Sequence, residues 1–568
     1  MGRMTTRRSS WRSRVCRAFT ALTIAVIGLG LAPSGAAAEP GSAIRPVRSC
    51  KELVKDFDIP GAMIHVTSAT PGGGGSTGEP KHCDVRGYVE PAVEFQLRLP
   101  TSTYTGRYLQ YGCDGLCGLI SPTPFPACGG PQGGDFAVAA TNDGHVGQAP
   151  PEAPFLAILD GTWAATNQAA RNDYFYRAPH VVSLAAKRII ATYYGSAPRR
   201  FYFNGCSTGG REGLLLAQRY PDDFDGIIAG APANFMGPLL GVYFTWLAKT
   251  NNDANGAPII TLAKLPALHD AVLAACDGLD GLVDGQIDDP PGCGFDPVAI
   301  QCPPGVDQPG CLTPAQVAAA RRLYAGPTDP DGRRLYPGGE PRGSELAWEG
   351  SVIPERQFGA SITPLPDNYL RYVGYPIGTP HSSVAAFQFT VAEFDRLTPE
   401  GVKGNALSLD LSGFRRSGGK LILWHGWADQ SIPPTGTLDY YQRLWRHSGG
   451  LGATQRWARV FMVPTVYHCA AFAGGYRLNQ FDPLPALVAW VERGKAPQRI
   501  VANQRDPQTK TVVRSRPVFP YPLRAAYDGT GSIDDAGNFV PVPPPVPPHD
   551  TIDWVGTDLY TEPGPVAP

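Results

Sequence analysis

Residues 201–216 read FYFNGCSTGGREGLLL, and within them Gly205-Cys206-Ser207-Thr208-Gly209 spells a Gly-x-Ser-x-Gly. A serine placed so could attack a carbonyl carbon, provided that a tight turn exposes its hydroxyl and a base takes its proton. The pattern alone is weak, because glycine makes up about 12% of the chain and roughly one chance match is expected per two such sequences. Gly74-Gly75-Ser76-Thr77-Gly78 fits equally well, yet it lies in PGGGGSTGEP with no apolar stretch before it and no helical period after it, so Ser76 reads as loop. Ser207 has a different setting. It follows the apolar run FYFNG and precedes GGREGLLLAQRYP, a helix closed by proline. Small neighbours permit the turn, and the helix N-terminus aims N–H groups at developing negative charge.

Such a hydroxyl needs a histidine within reach and an acid to orient it. In hydrolases built on this turn the chain order is Ser, acid, His. Asp429 in WHGWADQS and His468 in VPTVYHCA satisfy the order, and each lies just past an apolar strand, where loops gather at the carboxyl edge of a parallel sheet. His425 competes with His468, but it ends the strand itself only four residues before the acid and reads as a pocket or packing residue. Cysteine placement adds to this: Cys206 immediately precedes Ser207, and Cys469 immediately follows His468. A disulfide between them would lock the two catalytic loops together, and closing so long a loop would contribute on the order of 5 kcal/mol on the chain-entropy model. The bland alternative is two unrelated buried thiols.

The elements that must position these residues are legible in outline. VEFQLRLP (93–100) alternates as a half-buried strand, and GRYLQYG and DFAVAATNDG give further strand-like runs. HVVSLAAKRIIATYYG (180–195) has helical spacing, and FYFNG, GGREGLLLAQRYP and DGIIAGAPA read strand, helix, strand. After 236 the clean alternation gives way to cysteines, Asp-Gly turns, prolines and tryptophan-bearing loops until about 410, which reads as an inserted lid. The pattern returns with GGKLILWHGWADQSIPP, the helix TGTLDYYQRLWRHSG, the strand RVFMVP (459–464) and the helix FDPLPALVAWVERG. Strands alternating with helices imply a parallel sheet covered on both faces. The tail PVPPPVPPHD lacks strand donors and reads as a surface arm or linker.

The expected division is a signal peptide over 1–38, a first core part over 39–235, the lid over 236–410, a second core part over 411–535 and a Pro-rich tail over 536–568. The cationic start MGRMTTRRSSWRSRVCR, the short apolar run AFTALTIAVIGLGLA and Ala36-Ala37-Ala38 form a secretory leader with an A-x-A cleavage site. An oxidising compartment follows, and since the leader carries Cys16, an odd number of the 12 cysteines remains, so at least one stays unpaired. A formal net charge of −1, with no basic stripe beyond the leader, recommends neither nucleic acid nor an anionic membrane as partner. A small substrate remains. The run CDGLDGLVDGQIDD sets Asp277, Asp280, Asp284 and Asp288 in a glycine-punctuated loop between Cys276 and Cys293. Hard oxygen ligands so concentrated suit Ca²⁺, although the spacing is not that of an EF-hand and plain Asp-Gly turns would look the same.

Taken together, GRYLQYGCDGLCG, AATNDGH, FYFNGCSTGGREGLLLAQRYPDDFDGIIAGAPA, CDGLDGLVDGQIDD, CLTPAQV, GGKLILWHGWAD, DYYQRL, VPTVYHC and ALVAWVERGKAP resemble, in order, the tannase and feruloyl esterase family of α/β-hydrolases. The resemblance implies an α/β-hydrolase fold with a mostly parallel sheet and a large inserted lid, and a secreted carboxylic ester hydrolase for esters of aromatic acids such as gallate or ferulate, some of them attached to plant polymer. Its Cys-Ser, Asp, His-Cys arrangement falls on Cys206-Ser207, Asp429 and His468-Cys469. It implies an oxyanion hole from the backbone N–H groups of Thr208 and Gly115, and structural Ca²⁺ held by the side chains of Asp277, Asp280 and Asp284 and the carbonyls of Leu282 and Gln286. It also pairs Cys50 with Cys83, Cys276 with Cys293, and Cys302 with Cys311, leaving one pair and one free thiol among Cys113, Cys117 and Cys128. The sequence departs from the family at Cys113-Asp114, where glycine or a small residue is usual, and at TVYHCAAFAGG. An ionised Asp114 beside an oxyanion would be unhelpful, so either it points away or the pocket's chemistry differs. Trp348, Tyr369 and Tyr372 are lid aromatics that could meet the substrate or simply pack. A serine peptidase with the same triad and a non-catalytic calcium-dependent glycan-binding protein are the alternative readings.

Overall fold

The computed structural model describes residues 42–74, 78–121, 125, 134–354, 362–470, 480–506, 508–545 and 547–561. The leader, Ser76 and Cys128 lie outside them. Ten strands make the main sheet: β1 (Asp56–Ile59), β2 (Ala62–Gly72), β3 (His82–Val89), β4 (Val93–Pro100), β5 (Arg107–Tyr111), β6 (Phe136–Thr141), β7 (Arg200–Cys206), β8 (Gly226–Gly230), β9 (Lys420–Gly426) and β10 (Ala458–Val463). Their order across the sheet is β1-β2-β3-β4-β6-β5-β7-β8-β9-β10. From β6 to β10 every pairing is parallel, whereas β1 to β4, and β4 with β6, pair antiparallel. The strand and helix alternation from β5 onward foretells the parallel half, whereas VEFQLRLP, β4, pairs antiparallel on both sides, and the antiparallel ribbon of β1 to β3 ahead of it is an addition. The division follows from burial: β6, β8 and β10 are buried at every residue, and β2 alternates between buried and solvent-facing positions.

Successive residues of the central strands feed two cores, as the period of two requires. Phe203, Ile227, Leu421 and Val460 pack on one face with the helices Ala178–Tyr194, Thr208–Arg219 and Pro434–His447. Tyr202, Ile228, Ile422 and Phe461 pack on the other with Leu487 and Trp490 of the helix Leu484–Arg493. Between β8 and β9 the described residues add no strand to the sheet; helices such as Leu265–Cys276, Pro314–Ala325 and Val391–Gly404 fill the interval. A buried ion pair, Arg171 to Glu400 at 3.2 Å, ties the last of these helices to the core, and the Arg171 guanidinium also donates to the carbonyls of Ala164 and Tyr375.

The C-terminal region corrects the reading of a surface arm or linker. Strands β11 (Arg524–Tyr527) and β12 (Phe539–Val542) form a hairpin in which Pro541 faces Ala525, a two-stranded setting that tolerates proline. Beyond the prolines the chain returns to the helix Pro434–His447. Gln442 donates to the Pro548 carbonyl, Asp439 accepts from the Ile552 amide and from the Tyr560 hydroxyl, and Trp554 and Tyr560 are buried. The aromatic residues after the proline run, not the run itself, decide where this segment goes.

Candidate active site

The turn between β7 and the helix Thr208–Arg219 holds Ser207 at φ 60° and ψ −122°. This is a strained conformation, of order 1–3 kcal/mol for a residue with a Cβ, and it persists because the surroundings fix it. The Ser207 amide donates to the Gly230 carbonyl at 3.0 Å, and the Ser207 carbonyl accepts from Ala233 and Arg211 at 3.0 and 3.1 Å. The flanking glycine is obligatory: a Cβ on Gly205 would lie 2.4 Å from the Gly209 carbonyl carbon. The geometry is that of a nucleophile elbow.

Asp429 and His468 stand past the ends of β9 and β10, neighbouring parallel strands in register from Leu421–Ala458 to Gly426–Val463. His468 Nδ1 lies 2.8 Å from Asp429 Oδ2, while Asp429 Oδ1 accepts the Ser431 and Ile432 amides at 2.9 and 2.8 Å. Burial alone would raise the Asp429 carboxyl. The charge of His468 and hydrogen bonds from His425 and His468 outweigh it and hold the carboxyl well below its usual range. Burial likewise opposes the His468 cation, but Asp429, and more weakly the charge of Asp114, raise this imidazole above its ordinary value. His425 is fully buried, 3.2 Å from Asp429, with Nε2 2.9 Å from the Ile432 carbonyl and Nδ1 2.8 Å from the Thr437 hydroxyl. Since a carbonyl only accepts, Nε2 carries the proton and Nδ1 receives the Thr437 hydrogen. His425 is therefore a packing residue that also supports the acid. No motif or spacing points to Gln430, whose side chain accepts the His468 amide at 3.2 Å.

Ser207 and His468 line one cavity of about 700 Å³, and the Cys206–Cys469 disulfide joins their loops across 263 residues. Among the described residues no hydrogen bond links Ser207 Oγ to His468 Nε2, a contact that commonly tightens only with substrate bound. Gly115 has φ +57°, and a Cβ there would lie 2.5 Å from the Ile158 carbonyl oxygen. Its loop is pinned on all sides. The Cys113–Cys117 disulfide closes it, Gly209 donates to the Cys113 carbonyl at 2.8 Å, Leu116 to Ile158 at 2.7 Å, and Thr208 Oγ1 and the Tyr174 hydroxyl to the Gly115 carbonyl at 2.7 and 3.2 Å. The Cys113–Cys117 pair resolves the open choice among three cysteines. The cavity walls are mainly apolar: Phe155, Leu156, Ile158 and Leu159 from the strap after β6, Leu239, Leu240 and Phe244 from the start of the insertion, and Leu346, Ala347 and Leu365 further along it. Trp348 and Tyr369 are fully buried elsewhere, Trp348 donating to Ser344 and Glu340, and Tyr372 does not line the cavity. These aromatics pack, and the contact surface falls on neighbours that show no periodic signal.

Disulfides also join Cys50 to Cys83, Cys276 to Cys293 and Cys302 to Cys311. Within the loop that the second of these closes, Asp277 accepts the amides of Asp284, Gly285 and Gln286, and Asp280 accepts that of Leu282. Burial, and after it the nearby charges of Asp284 and Asp277, raise Asp280, and burial with Asp280 and Asp284 nearby pushes Asp288 up to about 8. Arg516 pairs with one oxygen of Asp284, but Asp284 Oδ1, Asp288 Oδ1 and Gln286 Oε1 are buried without a partner. An oxygen-rich loop with excess negative charge and orphaned acceptors fits a hard cation.

Strand order, the strained serine between β7 and its helix, and the acid and histidine past the ends of β9 and β10 define an α/β-hydrolase. The tannase and feruloyl esterase family matches residues 77–542, and the chain belongs to it. The chain is 33% identical to the mono(2-hydroxyethyl) terephthalate hydrolase of Piscinibacter sakaiensis over 546 residues, covering 84% of this chain and 87% of that protein. It is 31% identical to a probable feruloyl esterase B-1 of Aspergillus fumigatus over 76% of this chain and 80% of the other. Feruloyl esterase B from Aspergillus oryzae superposes with a TM-score of 0.73 at 26% identity, covering 87% of this chain and all of that one. Tannin acyl hydrolase from Aspergillus niger, at 22% identity, shares the fold with a TM-score of 0.66 over 91% of this chain and 98% of that one. The protein is a carboxylic ester hydrolase of this family.

Proposed function

We propose that the protein is a secreted serine esterase that cleaves esters of aromatic acids through an acyl-enzyme, with Ser207 as nucleophile, His468 as base and Asp429 as orienting acid. The observation that carries this reading is the 2.8 Å His468–Asp429 contact in a cavity wall shared with the strained Ser207 and fixed by Cys206–Cys469. Ser207 Oγ forms the bond to the ester carbonyl carbon as its proton passes to His468 Nε2; the carbonyl oxygen becomes an oxyanion facing the amides of Thr208 and Gly115. Collapse breaks the bond to the alcohol oxygen, which takes the proton from His468. Water then repeats the sequence on the acyl-enzyme and frees the acid and Ser207. Asp429 stays ionised throughout and stabilises the imidazolium.

The apolar cavity suits a planar aromatic acyl group, in keeping with relatives named for feruloyl and terephthalate esters. A phenolic acid bound to plant polymer is within this substrate class. The leader-like N-terminus and the disulfides support secretion. Calcium, where bound, would be held by Asp277, Asp280 and Asp284 with the carbonyls of Leu282 and Gln286, supplying charge that binds this loop together at a distance from the chemistry. A substrate panel tests the reading. Methyl ferulate and methyl gallate should turn over, and a short peptide anilide should not; peptide cleavage without ester cleavage, or saccharide binding without any turnover, overturns it.

A further inference from the structure

Asp114 is the acidic residue that stands beside the reacting groups without belonging to the triad. It lines the cavity with Ser207, Thr208 and His468, immediately before Gly115. The loop cannot readily swing it away, because the Cys113–Cys117 disulfide, the Cys117 amide on the Asp114 carbonyl at 2.9 Å and the Gly209 amide on the Cys113 carbonyl at 2.8 Å clamp its backbone on both sides. Its carboxylate accepts no hydrogen bond from the protein among the described residues, whereas Asp429 is fully engaged. Nor do the described residues bring a lysine or arginine to the cavity wall; the other acid there is Glu349. Asp114 is exposed to solvent, yet the surrounding protein still raises its carboxyl by desolvation, and its charge reaches His468.

We infer that Asp114 is a specificity-determining residue, which turns the cavity against esters whose acyl group carries a second carboxylate and toward neutral acyl groups that bring hydroxyl or amide donors. The inference rests on the esterase reading above. A second carboxylate in this cavity would meet a like charge between mainly apolar walls and find no cation among the described residues, which weakens productive binding by roughly tenfold or more. A phenol or amide donor would instead give Asp114 the hydrogen bond that the protein withholds, and a charged acceptor makes that bond stronger than a neutral one.

Two esters of nearly equal shape test it: methyl 4-carbamoylbenzoate, which is neutral, and methyl 4-carboxybenzoate, which is an anion at neutral pH. The ratio of kcat/KM, neutral over anionic, should be roughly tenfold or more for the native enzyme and should shrink at 0.5 M salt. It should fall roughly tenfold in Asp114→Asn and in Asp114→Ser, chiefly because the anionic ester gains, and should persist in Asp114→Glu. A native enzyme that prefers the anionic ester, or a ratio unchanged in both neutral variants, overturns the inference while leaving the esterase reading intact. Failure of every ester would sink that reading instead. Calorimetric binding of the same two compounds to Ser207→Ala still reads the charge preference, with tighter binding of the neutral ester expected and equal binding refuting it.

Discussion

Two disulfide-closed parts of the molecule use aspartate in opposite ways. At the cavity lined by Ser207 and His468, Cys206–Cys469 joins segments 263 residues apart, and the carboxylate of Asp429 is buried but bonded to two amides and to the imidazoles of His468 and His425. At the acidic loop, Cys276–Cys293 closes a span of 17 residues, and carboxylates lie together with orphaned oxygens and raised proton affinity. Burial penalises both sets alike. What differs is how completely the chain supplies compensating donors: both oxygens of Asp429 are bonded, whereas Asp284 and Asp288 each keep a buried oxygen without a partner.

Removing the nucleophile should give the largest break in this contrast. Ser207→Ala should lower kcat by at least about 10⁴-fold with no loss of melting temperature, and Asp429→Asn should cost on the order of 10⁴-fold by leaving the imidazole in the wrong tautomer. Ser207 is strained and makes no side-chain bond among the described residues, so alanine removes chemistry and little else; a Ser207→Ala enzyme with native turnover would remove the serine from the mechanism. The acid limb of kcat/KM should have its midpoint above about 6.5, since His468 is raised, while Asp429, held low, contributes nothing in that window. A midpoint below 6.5 would mean that the Asp429 contact does not govern the base.

Cleaving the long bridge should come next in size. Cys206→Ser with Cys469→Ser releases a loop-closure constraint of on the order of 5 kcal/mol on the chain-entropy model. It also frees the two residues that flank the nucleophile and base. Turnover should therefore fall at temperatures where circular dichroism still reports the native fold. Full activity after mass-spectrometric proof of reduction would show that the sheet alone sets the geometry.

How much of this was legible beforehand depends on the range of the cause. Ser207, Asp429 and His468 sit at strand ends, and strand ends follow from local apolar runs and turn residues, so the placing of Ser207 and His468 at one cavity, with Asp429 against His468, could be read from order and spacing. The parallel half of the sheet was visible for the same reason. The antiparallel ribbon of β1 to β3 gives a weaker signal, since β1 and β2 mix exposed and half-buried residues with few buried ones. The cavity walls were not legible at all: Phe155, Leu159 and Leu346 lie in short 3₁₀ turns and Leu240 in the helical segment Pro238–Tyr243, and their grouping is tertiary. Trp348 attracted notice by type, yet its buried indole bonds Ser344 and Glu340. The tail misled because proline was weighed and the later Trp554 and Tyr560 were not.

The smallest effect expected is on the acidic loop, and it sharpens the contrast by changing sign. Millimolar Ca²⁺ should raise the melting temperature by several degrees, by mass action on the folded state, and a chelator should reverse the gain while initial rates change by less than about twofold. Asp280→Asn separates the two contributions. In chelated protein it removes like-charge repulsion from Asp277 and Asp284 and should raise the melting temperature slightly; with calcium present it removes a ligand and should lower it. The crossing is the signature of a site left incomplete by the chain. Destabilisation by Asp280→Asn to the same extent in both conditions would assign the loop's carboxylates to ordinary turn hydrogen bonds, such as the one from the Leu282 amide to Asp280, and would make the two disulfide-closed regions alike after all.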